Sequence, residues 1–246
     1  LDGFNEAKVK KLEKGKEKEF IKSDIKSTPV LIALFKRDVV GVLRESSWFA
    51  NGPLTLIIFP VMFGISFVAG ISQSGVSISE VITELQLMIE NLKATEPQLL
   101  STILFWVSFV ASALACAMGT MTSISPTSIS REGKGLQNIL SLPFPISKLI
   151  SAKMLHAMLY SAISSALIFV LLVAVALIAK LPISFLDYLL IFVNFWWNSL
   201  VLAFIIHLID MFIDICHPKL TWENPTAVFK QNLMAVVAMF LSWGII

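Results

Sequence analysis

Four ionisable side chains recur at helical spacing near the end of one apolar stretch: His207, Asp210, Asp214 and His217. On one continuous helix, at 100° per residue, they fall within about 80° of arc. Imidazole and carboxylate groups are ligands for zinc or iron. One helix cannot by itself surround a tetrahedral ion, so we expect no metal site. We predict instead a solvated helix end before Pro218, with a membrane-embedded metalloenzyme kept as an alternative.

A pair of amides lies on the opposite face of the same predicted helix. Asn194 and Asn198 are four residues apart within a stretch that has no charged residue. In a membrane such side chains form hydrogen bonds between helices, or they line the path of a substrate. Both interpretations stay open.

The chain lacks the sequence patterns of an enzyme that hydrolyses nucleotides. Neither GxGxxG nor GxxxxGK[ST] occurs, and no Ser–His–Asp or Cys–His arrangement stands out. The net charge of +2 gives no basic footprint for nucleic acid. Two cysteines cannot form a disulfide framework. We therefore predict that the chain is not an enzyme, binds no cofactor and has no nucleic-acid partner.

Composition and charge placement predict the elements that must position these residues. Hydrophobic residues make up 56% and charged residues 15% of the 246, against about 45–50% and 25% in soluble domains. No Asp, Glu, Lys or Arg occurs in five long stretches, and a membrane-spanning helix needs roughly 20 apolar residues. The sequence therefore predicts an all-α polytopic membrane protein whose spans cover about 53–72, 98–122, 154–179, 187–209 and 231–246.

Two segments precede the first span. Residues 1–28, rich in Lys and Glu, suit a charged cytoplasmic arm or linker, and 29–246 form the transmembrane domain. Residues 29–50 place apolar side chains at helical spacing beside charged ones, which predicts an amphipathic helix in the membrane interface; a helix packed on protein is the alternative. The last span covers only ~24 Å at 1.5 Å per residue. We therefore expect a fragment whose sixth span is missing.

Basic residues predict the orientation and small residues predict close packing. Lys and Arg concentrate in the N-terminal region and in loops 123–153 and 210–230, so these face the cytoplasm of a cell-membrane protein. Loop 73–97 lies outside and carries a helical apolar face. Ala111, Ala115 and Gly119 form a stripe of small residues that allows close approach of a second helix.

Loop 123–153 combines charge with an apolar face. A charged turn spans Arg131–Lys134, and the apolar Leu136, Ile139 and Leu140 follow it. Such a hairpin suits docking of a partner protein, although it could also pack on its own bundle.

Two motifs in the predicted cytoplasmic loops resemble the permeases of type-2 ATP-binding cassette (ABC) transporters. Residues 130–134 read SREGK, and Leu142–Ser147 with Lys153 match the LP-x-S … K pattern that follows in that family. From Asp214 to Asn232 the chain resembles its D-x-x-x-P-K-L-x-W … A-V-K-Q-N segment. The inserted Phe229 departs from that pattern.

The resemblance, which covers roughly 29–246, implies a function. The chain would be a permease that moves substrate, by export, using ATP and Mg bound by a separate cytosolic subunit. It would pair with another six-helix unit, in the same chain or as a second copy. The residues that couple it to the ATP-binding subunit would be Ser130, Arg131, Glu132, Gly133, Lys134, Leu136, Ile139 and Leu140. A gradient-driven carrier remains the alternative, although it would predict charged residues near the bilayer midplane.

Overall fold

The computed structural model describes residues 28–245, and every regular element within them is helical. The predicted arm 1–28 lies outside the described residues except for Thr28. In chain order the elements are α1 (Val30–Arg44), α2 (Ser46–Asn51), α3 (Thr55–Gln73), α4 (Ile78–Thr95), α5 (Pro97–Thr120), a 3-10 helix (Ser130–Gly135), α6 (Leu136–Leu140), α7 (Ile146–Ile178), α8 (Phe185–Cys216), α9 (Ala227–Lys230) and α10 (Leu233–Ile245).

Four helical segments are long and apolar enough to cross a membrane: Ser46–Gln73, Pro97–Thr120, Ile146–Ile178 and Phe185–Cys216. They confirm the predicted all-α polytopic membrane protein. At the fifth predicted span the structure has the shorter apolar helix α10, of 13 residues.

Two of the spans are longer than predicted. Helix α7 begins at Ile146, eight residues before the predicted 154, and α8 ends at Cys216, seven after the predicted 209. The extra turns carry charged residues, and the predicted spans were shorter because they were bounded by those residues. A 33-residue helix is ~50 Å long, whereas the hydrocarbon core is about 30 Å thick. These turns therefore extend the bundle into the neighbouring loops.

Helices α5, α7 and α8 form the centre of the bundle. A Cβ atom added to Gly119 would lie 2.7 Å from the Cα atom of Ser161, so α5 and α7 touch backbone to backbone. One turn away, the Ser164 hydroxyl donates to the Ala115 carbonyl over 2.8 Å. Both contacts confirm that the small-residue stripe is a packing surface.

The predicted amphipathic helix 29–50 is divided at Glu45 into α1 and α2. Leu34 of α1 is buried against Leu149 and Ala152 of α7. In α2, Trp48 packs against a buried group that includes Leu56 of α3 and Tyr160 of α7. Part of the apolar face therefore packs on protein, as in the alternative interpretation.

The loop between α3 and α5 contains the predicted helix, α4. Its start is a capping box, in which the Ser77 hydroxyl accepts from the Glu80 amide and the Glu80 carboxylate accepts from the Ser77 amide. Gln86 donates to the carbonyl of Ala179 over 2.7 Å, which ties α4 to the turn between α7 and α8. We call the other end of the bundle, where α1, the 3-10 helix, α6 and residues 217–232 meet, the loop end.

Candidate functional site

Ser130 lies at the centre of the loop end and is fully buried. Its hydroxyl donates to Asp214 and accepts from the amide of Lys219 (2.8 Å) and the side chain of Asn232 (3.3 Å). Its carbonyl accepts from the indole nitrogen of Trp222 over 3.0 Å. The two sequence motifs that were separate in the chain therefore form one hydrogen-bonded unit.

Asp214 fixes the start of the 3-10 helix to the last turns of α8. Its Oδ2 atom accepts from the amides of Ile129 (2.5 Å) and Ser130 (3.1 Å) and lies 3.4 Å from the Ser128 hydroxyl. The side chain is 1% exposed. A carboxylate buried to this extent requires hydrogen-bond donors in place of water. These amides and hydroxyls supply them, so Asp214 organises the loop.

Asp210 and His207 tie the same loop to three helices. Asp210 accepts from Ser125 over 2.7 Å and from Ser242 of α10 over 2.6 Å. The ring of His207 lies between the hydroxyls of Ser125 (2.9 Å) and Ser161 of α7 (2.7 Å). The polar side chains of α8 thus connect the α5–α7 loop with α7 and α10.

The predicted solvated helix end is therefore wrong for three of its four residues. His207, Asp210 and Asp214 are buried, because residues 122–130 fold beneath them, and only His217 is exposed. Serine hydroxyls and backbone amides form hydrogen bonds to these three side chains. Within residues 28–245 the structure contains no group of three or more His, Cys, Asp or Glu that could hold a metal ion.

A second cluster joins α1 to α7 through ion pairs that the sequence analysis missed. Lys153 Nζ lies 2.5 Å from Glu132 and 3.2 Å from Asp38, and Arg37 pairs with both carboxylates. Burial by itself raises the pKa of Asp38, but the charges of Lys153 and Arg37 outweigh it and lower the pKa below its usual value. The cluster holds the 3-10 helix against two helices at once.

Gly133 is the position in the 3-10 helix that requires glycine. Its φ is +54°, a left-handed conformation that other residues rarely adopt. A Cβ atom there would lie 3.0 Å from the ring of Trp222. The close contact of the two motifs therefore depends on a residue without a side chain at position 133.

The structure divides the predicted coupling residues into two groups. Ser130, Arg131 and Gly133 are buried, and Glu132 belongs to the ion cluster. Leu136 and Ile139 pack against the buried group around Leu149. The exposed group contains Lys134 and Leu140, which lie beside the exposed Gln137 and Asn138, two residues outside the predicted set. The first group anchors the segment, and the second is accessible to a partner.

The amide pair lies between α5 and α8. Asn194 donates to the carbonyl of Phe105 over 3.1 Å and contacts Ser108, whereas Asn198 donates to Asn194 over 2.6 Å. Asn194 therefore bridges two helices. It also lines a mostly apolar groove of ≈ 360 Å³, together with Trp197, so both interpretations from the sequence have a geometric basis.

No protein-family model, curated protein or solved structure matches this chain. The geometry of the loop end and the resemblance carried by its two motifs are therefore the indications of function in this chain.

Proposed function

We propose that this chain is the permease unit of an ABC transporter and exports its substrate across the cell membrane. A cytosolic ATP-binding subunit docks on the exposed face of α6. The observation that carries the proposal is that α6 belongs to a segment bonded to three long elements, α1, α7 and α8, while its outer face is uncovered in the described part of the chain.

The contacts of the loop end provide the mechanical link that such a transporter needs. Asp214 connects the 3-10 helix to α8, and Glu132 connects it to Lys153 of α7. Leu136 and Ile139 seat α6 against Leu149 of α7. Because packed elements move as units, displacement of α6 by a closing subunit would shift the ends of α7 and α8.

The exposed face of α6 has the mixed character of a docking surface. Leu140 at the end of α6 and Leu142 just after it are 50% and 51% exposed, and the polar Gln137 and Asn138 lie beside them. ATP and Mg would be held by the partner subunit, since the sequence has no nucleotide-binding loop. The present chain would then contribute motion of its helices and no chemical step.

The distribution of charge supports a cytoplasmic loop end and N-terminus. Helix α4, at the other end, carries Glu80, Glu84 and Glu90 against the single Lys93. The loop end carries both lysines and arginines, including Arg37 and Lys134. Basic residues flanking spans are retained on the cytoplasmic side.

Helix α3 supports pairing with a second six-helix unit, in the same chain or as a second copy. Leu56 is its only buried residue among those whose exposure is described, and most of its other apolar side chains are exposed. The groove lined by Asn194 is a candidate part of the substrate path.

The proposal is tested by purifying the full-length protein from its host in mild detergent and measuring ATPase activity and composition. We expect a subunit with a nucleotide-binding loop in near-stoichiometric amount. Leu140→Asp should remove it. The matched control is Leu87→Asp on α4, where the side chain is 55% exposed, and it should retain the subunit. Equal recovery with both variants, or no such subunit with wild type, would refute the proposal.

One observation favours the alternative of a gradient-driven carrier. Ser161, His207, Ser125 and Asp210 form a continuous buried chain of hydrogen bonds, a pattern that can relay protons. Proton uptake by proteoliposomes, driven by a pH gradient without ATP and lost in His207→Gln, would favour the carrier.

A further inference from the structure

Arg131 is a buried cation without a direct ionic partner among the described residues. The residue is 7% exposed, and its Nη1 atom is buried with no hydrogen-bond partner. Its guanidinium carbon lies 6.0 Å from the ring centroid of Trp48, a distance at the limit of a cation–π contact. A buried charge is costly unless it is paired, so this side chain requires a counterion.

The nearby carboxylates are already engaged. Asp38 and Glu132 both pair with Arg37 and Lys153. The two cations and two carboxylates form a neutral group that leaves Arg131 as a fifth charge. Asp214 accepts from the loop amides instead. Burial lowers the pKa of Arg131 despite the opposing charges of Asp38, Asp214 and Glu132, which indicates incomplete compensation.

A pocket of ≈ 170 Å³ lies beside this guanidinium. At about 30 Å³ per water molecule it holds the volume of about six waters, which is enough for a small oxyanion. Three cations and two carboxylates line it, so its local charge is positive. Its lining residues are Arg37, Asp38, Gly41, Val42, Trp48, Arg131, Glu132 and Lys153.

We propose that this pocket binds a phosphate group, with Arg131 as its principal donor. A guanidinium presents parallel N–H groups that match phosphate oxygens, and such charged pairs are the stronger hydrogen bonds. The phosphate is the headgroup of a membrane lipid or a free phosphate ion. Trp48 at the pocket edge is a residue type enriched at the level of lipid headgroups. The site is independent of the proposed transport function.

The test uses the full-length protein in a maltoside detergent, which contains no phosphate. Inorganic phosphate and phosphatidylglycerol are titrated separately, with chloride at matched ionic strength. Thermal unfolding and native mass spectrometry report binding. Arg131→Met removes the guanidinium, and Arg44→Met, which removes an exposed cation from α1, is the matched control.

We expect one or both phosphate probes to raise the unfolding temperature of wild type and Arg44→Met, with about tenfold or greater weakening in Arg131→Met. Response to the lipid alone identifies the lipid as the source, and response to both identifies a pocket that is also open to solutes. If Arg131→Met does not fold, Arg131→Lys, which keeps the charge but loses the fork, should show the weakening. Equal stabilisation by chloride, no response to either probe, or undiminished binding in both Arg131 variants would overturn the proposal.

Discussion

The hydroxyl of Ser130 donates to the carboxylate of Asp214 across 84 residues of chain, and both residues are buried. The same carboxylate accepts the Ser130 amide. This pair joins the α5–α7 loop to the end of α8 and brings Trp222 onto Gly133. The position of α6 therefore depends on a polar contact in the protein interior.

Replacing Asp214 should destabilise this junction. In Asp214→Asn the amide oxygen can still accept from the amides of Ile129 and Ser130, but the NH2 group then faces the Ser130 hydroxyl, which loses its acceptor. We expect a loss of about 2–4 kcal/mol, since buried donors lose a charged acceptor. Thermal unfolding in detergent measures it. Glu223→Gln, an exposed residue of the same segment, should change stability by less than about 0.5 kcal/mol. Equal unfolding temperatures for the two variants would contradict the claim that Asp214 stabilises this junction.

Two glycines of the 3-10 helix give a matched pair. Gly133→Ala forces a side chain into a left-handed conformation against Trp222 and should cost about 1–3 kcal/mol. Gly135 has a φ of −74° and open space around it. Gly135→Ala should therefore be neutral or stabilising by about 0.4–1 kcal/mol. The free energy of unfolding is measured for both variants. A Gly133→Ala variant as stable as Gly135→Ala would show that position 133 does not require glycine.

Close approach of α5 and α7 should make Gly119 intolerant of any side chain. Gly119→Ala places a Cβ atom 2.7 Å from the Ser161 backbone and should cost about 1–3 kcal/mol through overpacking. On α3, Gly64 has nothing within 4 Å, so Gly64→Ala should not destabilise. Thermal unfolding compares the two, and the packing argument fails if Gly119→Ala unfolds no earlier than Gly64→Ala.

The ion cluster around Asp38 should make stability depend on pH. Because the folded pKa of Asp38 is lowered, the cluster contributes stability above the unfolded pKa of about 3.9. That contribution is lost as pH falls through the folded pKa. Unfolding measured from neutral to acid pH should show a smaller acid-induced loss in Asp38→Asn than in wild type. If the stability of wild type and of Asp38→Asn changed equally with pH, the pKa of Asp38 would not be lowered in the folded protein.

The long apolar helices could be predicted because hydrophobic stretches need no knowledge of partners. Their ends could not, since the charged turns of α7 and α8 are stabilised by distant residues. Lys153 directly precedes an uncharged stretch in the sequence, yet its partner Asp38 is 115 residues away. Likewise, the sequence predicts that Asp214 lies at a solvated helix end, whereas in the structure residues 128–130 cover it. The sequence shows that a charged residue lies beside an apolar stretch. It does not show which distant residue pairs with that charge.

Site-specific photo-cross-linking in host cells tests the central claim most directly. A cross-linker at Gln137, exposed on α6, is compared with one at Thr83, exposed on α4. We expect an adduct with an ATP-binding subunit from Gln137 and none from Thr83. The absence of that adduct from Gln137, or its equal formation from Thr83, would contradict it.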